Sequence, residues 1–231
     1  MPAANRIPAK GTLVAKPPLV VVPGLAARGD TYTLALKPLR ERFDVRVAET
    51  GLDFPPRLGW GFFESAIDAA AGDVRTFQLL GHSLGASIAL HYAAKHPERV
   101  TQVVASSAVL FPFHRAAVPF RRLKGLLKCI TSGHPGHFFE ALRTRRLMLA
   151  DGRAAKYYDF AGRIDLTKQL PKLRHATVLY PEREEVIPLA HFHRLQRDYP
   201  HIKTRLIPGE HNDLALNPRR LNRIIAEELD D

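Results

Sequence analysis

Short apolar, β-branched runs alternate along this chain with longer stretches in which apolar residues recur at helical spacing. The runs predict strands at Leu19–Val22, Phe43–Ala48, Thr76–His82, Val100–Val109, Ala176–Tyr180 and His201–Ile207. Helices are expected from Asp30, a residue able to cap one, to about Arg42, then over Gly61–Ala71, Leu84–Lys95, Leu189–Tyr199 and Asn217–Leu229. Strand and helix in alternation describe an α/β chain, a mostly parallel sheet with helices on both faces. The alternation lapses after the strand that follows the 84–95 helix. Residues 111–170 carry Pro112, Pro119 and Pro135 and short amphipathic pieces, Phe120–Ile130 and Phe138–Ala150, which suit a helical insertion. The expected organisation is an N-terminal extension at 1–18, an α/β core at 19–110 and 171–231, and the insertion at 111–170.

Length and charge sharpen this picture. At 231 residues the chain suits one well-buried domain with one insertion. The net charge of +11 is concentrated: between Phe111 and His175 fourteen basic residues face four acidic ones, so +10 of it belongs to the insertion and its border. A local basic surface is implied, not a generally basic protein. The single cysteine, Cys129, excludes an internal disulfide and reads as a packing residue. No Cys and His cluster has zinc-ligand spacing, and no apolar run is long enough for a bilayer span. Residues 1–19, broken by prolines and lysines, do not resemble a signal peptide, so a soluble, cytoplasmic protein without metal or cofactor is expected.

LLGHSLGAS, residues 79–87, sets Ser83 between Gly81 and Gly85. By itself the pattern fits a nucleophile and a small residue in a tight turn equally well. Its place, straight after an expected strand and straight before an alanine-rich helix, favours the nucleophile. A serine on a sharp strand-to-helix turn needs small neighbours, which Gly81 and Gly85 supply. The turn also puts the Leu84 amide at a helix N-terminus, where unpaired N–H groups stabilise negative charge. His82 reads as a histidine packed under the turn.

A serine hydroxyl needs a base, and the base needs an acid to fix its tautomer. In open parallel sheets such groups gather at the carboxyl ends of strands. His211, in PGEHND, follows the last expected strand, and Glu184, in LYPEREEVIP, follows the one before it.

With VVVPGLA near the start, these segments resemble the α/β-hydrolase family, and the resemblance runs from about Leu19 to the C-terminus apart from the insertion. Alignment on Ile187-Pro188 puts Glu184 where the family carries its triad acid, usually aspartate, with Pro181 in place of a glycine. Glu182 and Glu185 stay open as substitutes, and Asp213 reads as a loop or capping residue. The resemblance implies an oxyanion hole from the amides of Leu25 and Leu84, with Pro23 standing where the family commonly has histidine. Serine at 83 separates the chain from relatives with an aspartate nucleophile, and the insertion takes the place of a lid.

The function expected is a serine ester hydrolase of small to medium, mostly apolar acyl groups: Ser83 attacks, His211 is base and then acid, and Glu184 orients His211. An acyl thioesterase or acyltransferase with the same triad is the alternative. A non-catalytic hydrolase-like binding protein is the alternative of another class. The basic insertion, where it is more than a solvated surface, would meet an anionic lipid, a coenzyme A thioester or an acidic carrier. No nucleic-acid motif is present.

Overall fold

The computed structural model describes residues 15–24, 35–49, 58–112, 153–211, 213–216 and 218–230. Among the described residues six parallel strands form one sheet: β1 (Pro18–Val22), β2 (Asp44–Val47), β3 (Phe77–His82), β4 (Val100–Ser106), β5 (Ala176–Arg183) and β6 (Lys203–Glu210), in the order β2-β1-β3-β4-β5-β6. Chain order reverses direction across the sheet beside β1 and β3. That switch leaves a crevice at the carboxyl ends of these strands.

Period-two alternation decides which side chain goes to which face. Val20, Val22, Leu79, Val103, Ala105, Val178 and Tyr180 join one apolar cluster. Leu19, Val21, Leu80, Val104 and Leu179 join the other. Since both faces are covered, the strands read as nearly unbroken apolar runs. The first layer is α2 (Trp60–Ala71), α3 (Leu84–Lys95) and α5 (Ala190–Asp198), through Phe63, Ile67, Ile88, Phe192 and Leu195. The second is α1 (Lys37–Arg40) and α7 (Pro218–Asp230), through Leu39, Leu221, Ile225 and Leu229.

Helix α3 is buried from Leu84 to Ala94. Its alanines let it lie close to the sheet, while Glu64 of α2 accepts from Lys95 at 2.7 Å and from His91 Nε2 at 3.1 Å. Of the expected insertion, helix α4 (Arg153–Gly162) falls among the described residues, and Phe160, Ile164, Leu166 and Leu170 pack into the first apolar cluster. The amphipathic pieces expected at 120–130 and 138–150, Cys129, and the capping Asp30 lie outside the described residues.

Three strand ends differ from expectation, β6 among them, since it runs past Ile207 to Glu210. β4 stops at Ser106, before the expected Val109, because Ser107 turns the backbone to φ 57°. β5 runs past Tyr180 to Arg183, since Pro181 still registers with Ile207 of β6, and a proline costs a parallel ladder only its own N–H. The extension brings Glu184 to the very end of β5.

Candidate active site

Ser83 stands between the last residue of β3 and the first of α3 with φ 55° and ψ −121°. A non-glycine residue in the left-handed region carries strain of about 1–3 kcal/mol, and it persists only where its surroundings fix it. The Ser83 amide donates to the Ser106 carbonyl at 2.8 Å, continuing the β3–β4 ladder into the turn. The glycines expected to make room do so. A Cβ at Gly81 would sit 2.5 Å from Ala86 Cα, and one at Gly85 would run into the Val22 and Pro23 carbonyls. The start of α3 therefore rests backbone to backbone on the end of β1.

From this turn the Ser83 hydroxyl, partly exposed, meets His211 Nε2 at 3.0 Å. His211 lies straight after β6, and its Nδ1 meets Glu184 Oε1 at 2.7 Å. Strands β3, β5 and β6 thus deliver serine, acid and histidine to one end of the sheet. A carboxylate only accepts, so Nδ1 carries the hydrogen toward Glu184 and Nε2 accepts from Ser83.

Glu184 has a fully buried side chain. Burial alone would raise its pKa, but the His211 charge and ring N–H, the Ile187 amide and the Ser107 hydroxyl outweigh it and hold the carboxyl at about 2. Its Oε1 also accepts from the amides of Val186 and Ile187 at 2.9 and 3.0 Å. These amides come from the turn that carries the Ile187-Pro188 landmark. The Ser107 contact, to a carboxylate whose Oε2 has no closer donor, is a looser one. Sequence reading did not single out Ser107; the paired serines ending VVASS were the signal available.

The other acids take different places. Glu182 is exposed. Glu185 Oε2 accepts from the His211 backbone N–H at 3.4 Å, and burial raises its pKa. Asp213 is buried and accepts from Arg220 at 2.7 Å, bracing α6 (Asp213–Leu216) against α7. His82 is buried as expected, but it is more than packing: its Nε2 meets the His211 carbonyl at 2.8 Å.

Leu84 begins α3, so its N–H has no partner within the helix. Gly24, on the chain leading to Leu25, comes so close to this turn that a Cβ there would lie 3.2 Å from Ser83 Cβ. Leu25 lies outside the described residues. Among the described residues there is no group of three His, Cys, Asp or Glu side chains fit to hold a metal ion, and no helix long and apolar enough to cross a membrane.

A parallel sheet layered by helices, with a strained serine between β3 and α3, is the α/β-hydrolase fold, and this chain has that fold. A family model described as the alpha/beta hydrolase fold matches residues 62–128. Among solved structures, a hydrolase from Pseudomonas aeruginosa PA01 is similar at 17% identity and a TM-score of 0.72, over 94% of this chain and 91% of the other. A thermophilic esterase from Thermogutta terrifontis is similar at 19% identity and a TM-score of 0.68, over 94% and 90%. A bacterial membrane phospholipase A is similar at 21% identity and a TM-score of 0.73, over 93% and 79%.

Proposed function

We propose that this chain is a serine hydrolase that cleaves carboxylic esters through an acyl-serine intermediate, with a small to medium, mostly apolar acyl group. The observation that carries the reading is one imidazole bonded at both nitrogens, to Ser83 Oγ at 3.0 Å and to Glu184 Oε1 at 2.7 Å. An esterase and a phospholipase A among the structures of like fold agree with ester chemistry.

In the proposed reaction Ser83 Oγ bonds to the ester carbonyl carbon while its proton passes to His211 Nε2. Charge gathers on the carbonyl oxygen, where the amides of Leu84 and Leu25 receive it. Preorganised amides of this kind are worth about 3–4 kcal/mol each in the transition state. The imidazolium is balanced by Glu184, which is already ionised. Collapse of the tetrahedral intermediate breaks the ester C–O bond, and His211 gives its proton to the leaving alcohol. Water then attacks the acyl-serine with His211 again taking the proton, and Ser83 leaves with it restored.

Labelling with a fluorophosphonate tests the reading. Wild type should be labelled at Ser83 and lose ester turnover with the label. Ser83→Ala should escape labelling, keep its melting temperature and lose turnover by about a million-fold. A variant that retains a tenth of the wild-type rate, with contaminating esterase excluded, overturns the reading. A screen over ester chain lengths beside acyl-coenzyme A thioesters then fixes the substrate class.

A further inference from the structure

The backbone of His211 is held from both sides. Its carbonyl lies 2.8 Å from His82 Nε2, and its N–H lies 3.4 Å from Glu185 Oε2, while Glu184 holds the ring. A carbonyl only accepts, so the His82 proton is on Nε2 and the lone pair on Nδ1. The Nδ1 edge lies against the end of β1, where a Cβ on Gly24 would come within 3.2 Å of it. The two histidine rings are 5.3 Å apart. One imidazole therefore touches the segment after β1 and the segment after β6, and is itself the residue before Ser83.

We propose that His82 is a positioning residue for this reaction: its Nε2–H fixes the His211 carbonyl, and with it the height of the base over Ser83, while its other edge sets how closely the chain at Gly24 approaches. The proposal rests on Ser83, His211 and Glu184 acting as a triad. Histidine suits the task because it donates without adding charge. Burial, and then the charge of His211, hold its pKa at about 4, so near neutrality it stays a neutral donor beside a base that must itself become positive. A lysine or arginine would reach the carbonyl only by placing a second cation there, and asparagine, one methylene shorter than glutamine, would not span from β3 to the β6 loop.

The test compares His82→Gln, which keeps an N–H donor, with His82→Met, a chain of similar length that has none. In a soluble ester assay the methionine variant should lose about 10- to 100-fold in kcat, the scale of a base displaced by up to an ångström. Its KM should move by less than about threefold, because the substrate contacts are untouched. The glutamine variant should recover most of the loss, and nitrogen-15 spectra of wild type should show His82 neutral with the proton on Nε2.

Unchanged kcat in the methionine variant, equal losses in both, or an Nδ1–H tautomer would overturn the proposal. So would a methionine variant that does not fold beside a glutamine variant that does, since the bond would then serve folding alone. Ser83→Ala separates the two levels. If that variant stays active, the triad reading fails and takes this one with it. If it is inactive and the methionine variant is unimpaired, only the role of His82 falls.

Discussion

Ser83 and Ser107 leave the sheet side by side, each one residue past the end of its strand, and among the described residues they are the two without a glycine's freedom that have positive φ. One presents the hydroxyl to His211 and the other approaches the carboxylate of Glu184. Strain at adjacent strand ends thus flanks the line of contacts from Ser83 through His211 to Glu184, and it persists because the surroundings hold both backbones.

Glu184→Gln should lower ester turnover about a thousand- to ten-thousand-fold with little change in melting temperature. The amide cannot balance an imidazolium, and its N–H₂ would favour the wrong tautomer of His211. Glu182→Gln should be without effect, and Glu185→Gln nearly so, since glutamine can still accept from the His211 amide. Steady-state rates on one soluble ester check all three. A larger loss at 182 or 185 than at 184 would refute the assignment of the acid.

Gly85→Ala should destabilise the fold by more than about 4 kcal/mol, because its methyl would collide with carbonyls at the end of β1 that are part of the sheet and cannot move aside. The same change at Gly61, which is exposed in α2 with nothing within 4 Å of its Cβ direction, should be neutral or stabilising by up to about 1 kcal/mol. Urea unfolding of the two variants measures the contrast.

His82 should make the fold more sensitive to mild acid. Its folded pKa, about 4, lies below the ordinary 6.5, because of burial first and the charge of His211 second. As pH falls below about 6.5 the unfolded chain binds a proton that the folded chain refuses. Stability therefore drops between about pH 6.5 and 4 and levels off below that, with a slope from this group of up to about 1.4 kcal/mol per pH unit. Glu184 acts lower. Its stabilisation is complete above about 4.5 and is lost as pH falls toward 2. Unfolding free energies of wild type and His82→Gln from pH 7 to 4 should converge at the acid end, the variant having the flatter profile.

If the expected basic insertion recruits an anionic substrate, replacing Arg121, Arg122, Arg143, Arg145 and Arg146 by glutamine should raise the apparent KM for an acyl-coenzyme A or anionic-lipid substrate and hardly affect neutral short-chain esters. Salt should act on wild type in the same direction, since charges more than about 10 Å apart are screened near 0.1 M. Equal effects on charged and neutral substrates would mean that the substitutions damage the insertion itself.

The positions of Ser83, Glu184 and His211 were legible in the sequence because each follows an apolar run, and strand ends of a parallel sheet converge on one edge. The nucleophile helix was legible from Leu84 to Lys95 because its alanines and leucines repeat at helical spacing up to a His-Pro stop. The ends of β4, β5 and β6 were not. Ala108 and Val109 resume the apolar run straight after the paired serines and mask the backbone turn at Ser107, while Pro181 reads as a strand breaker although the ladder passes through it. The bond from His82 was hidden for another reason. It joins residues 82 and 211, and hydrophobic spacing specifies faces, not which buried nitrogen meets which carbonyl.

The base comes from the edge of the sheet. β6 follows β5 at one margin, so the strained serine, at the centre, is encoded and can be built well before its partner, 128 residues later in the chain, has been translated. Domains begin to acquire structure during synthesis, while hydrophobic surfaces are still exposed. A chain translated only as far as β5 lacks His211, and on the proposed mechanism Ser83 then has no base to take its proton. If Ser83, His211 and Glu184 act as the proposed triad, reactivity therefore waits for the last strand of the sheet.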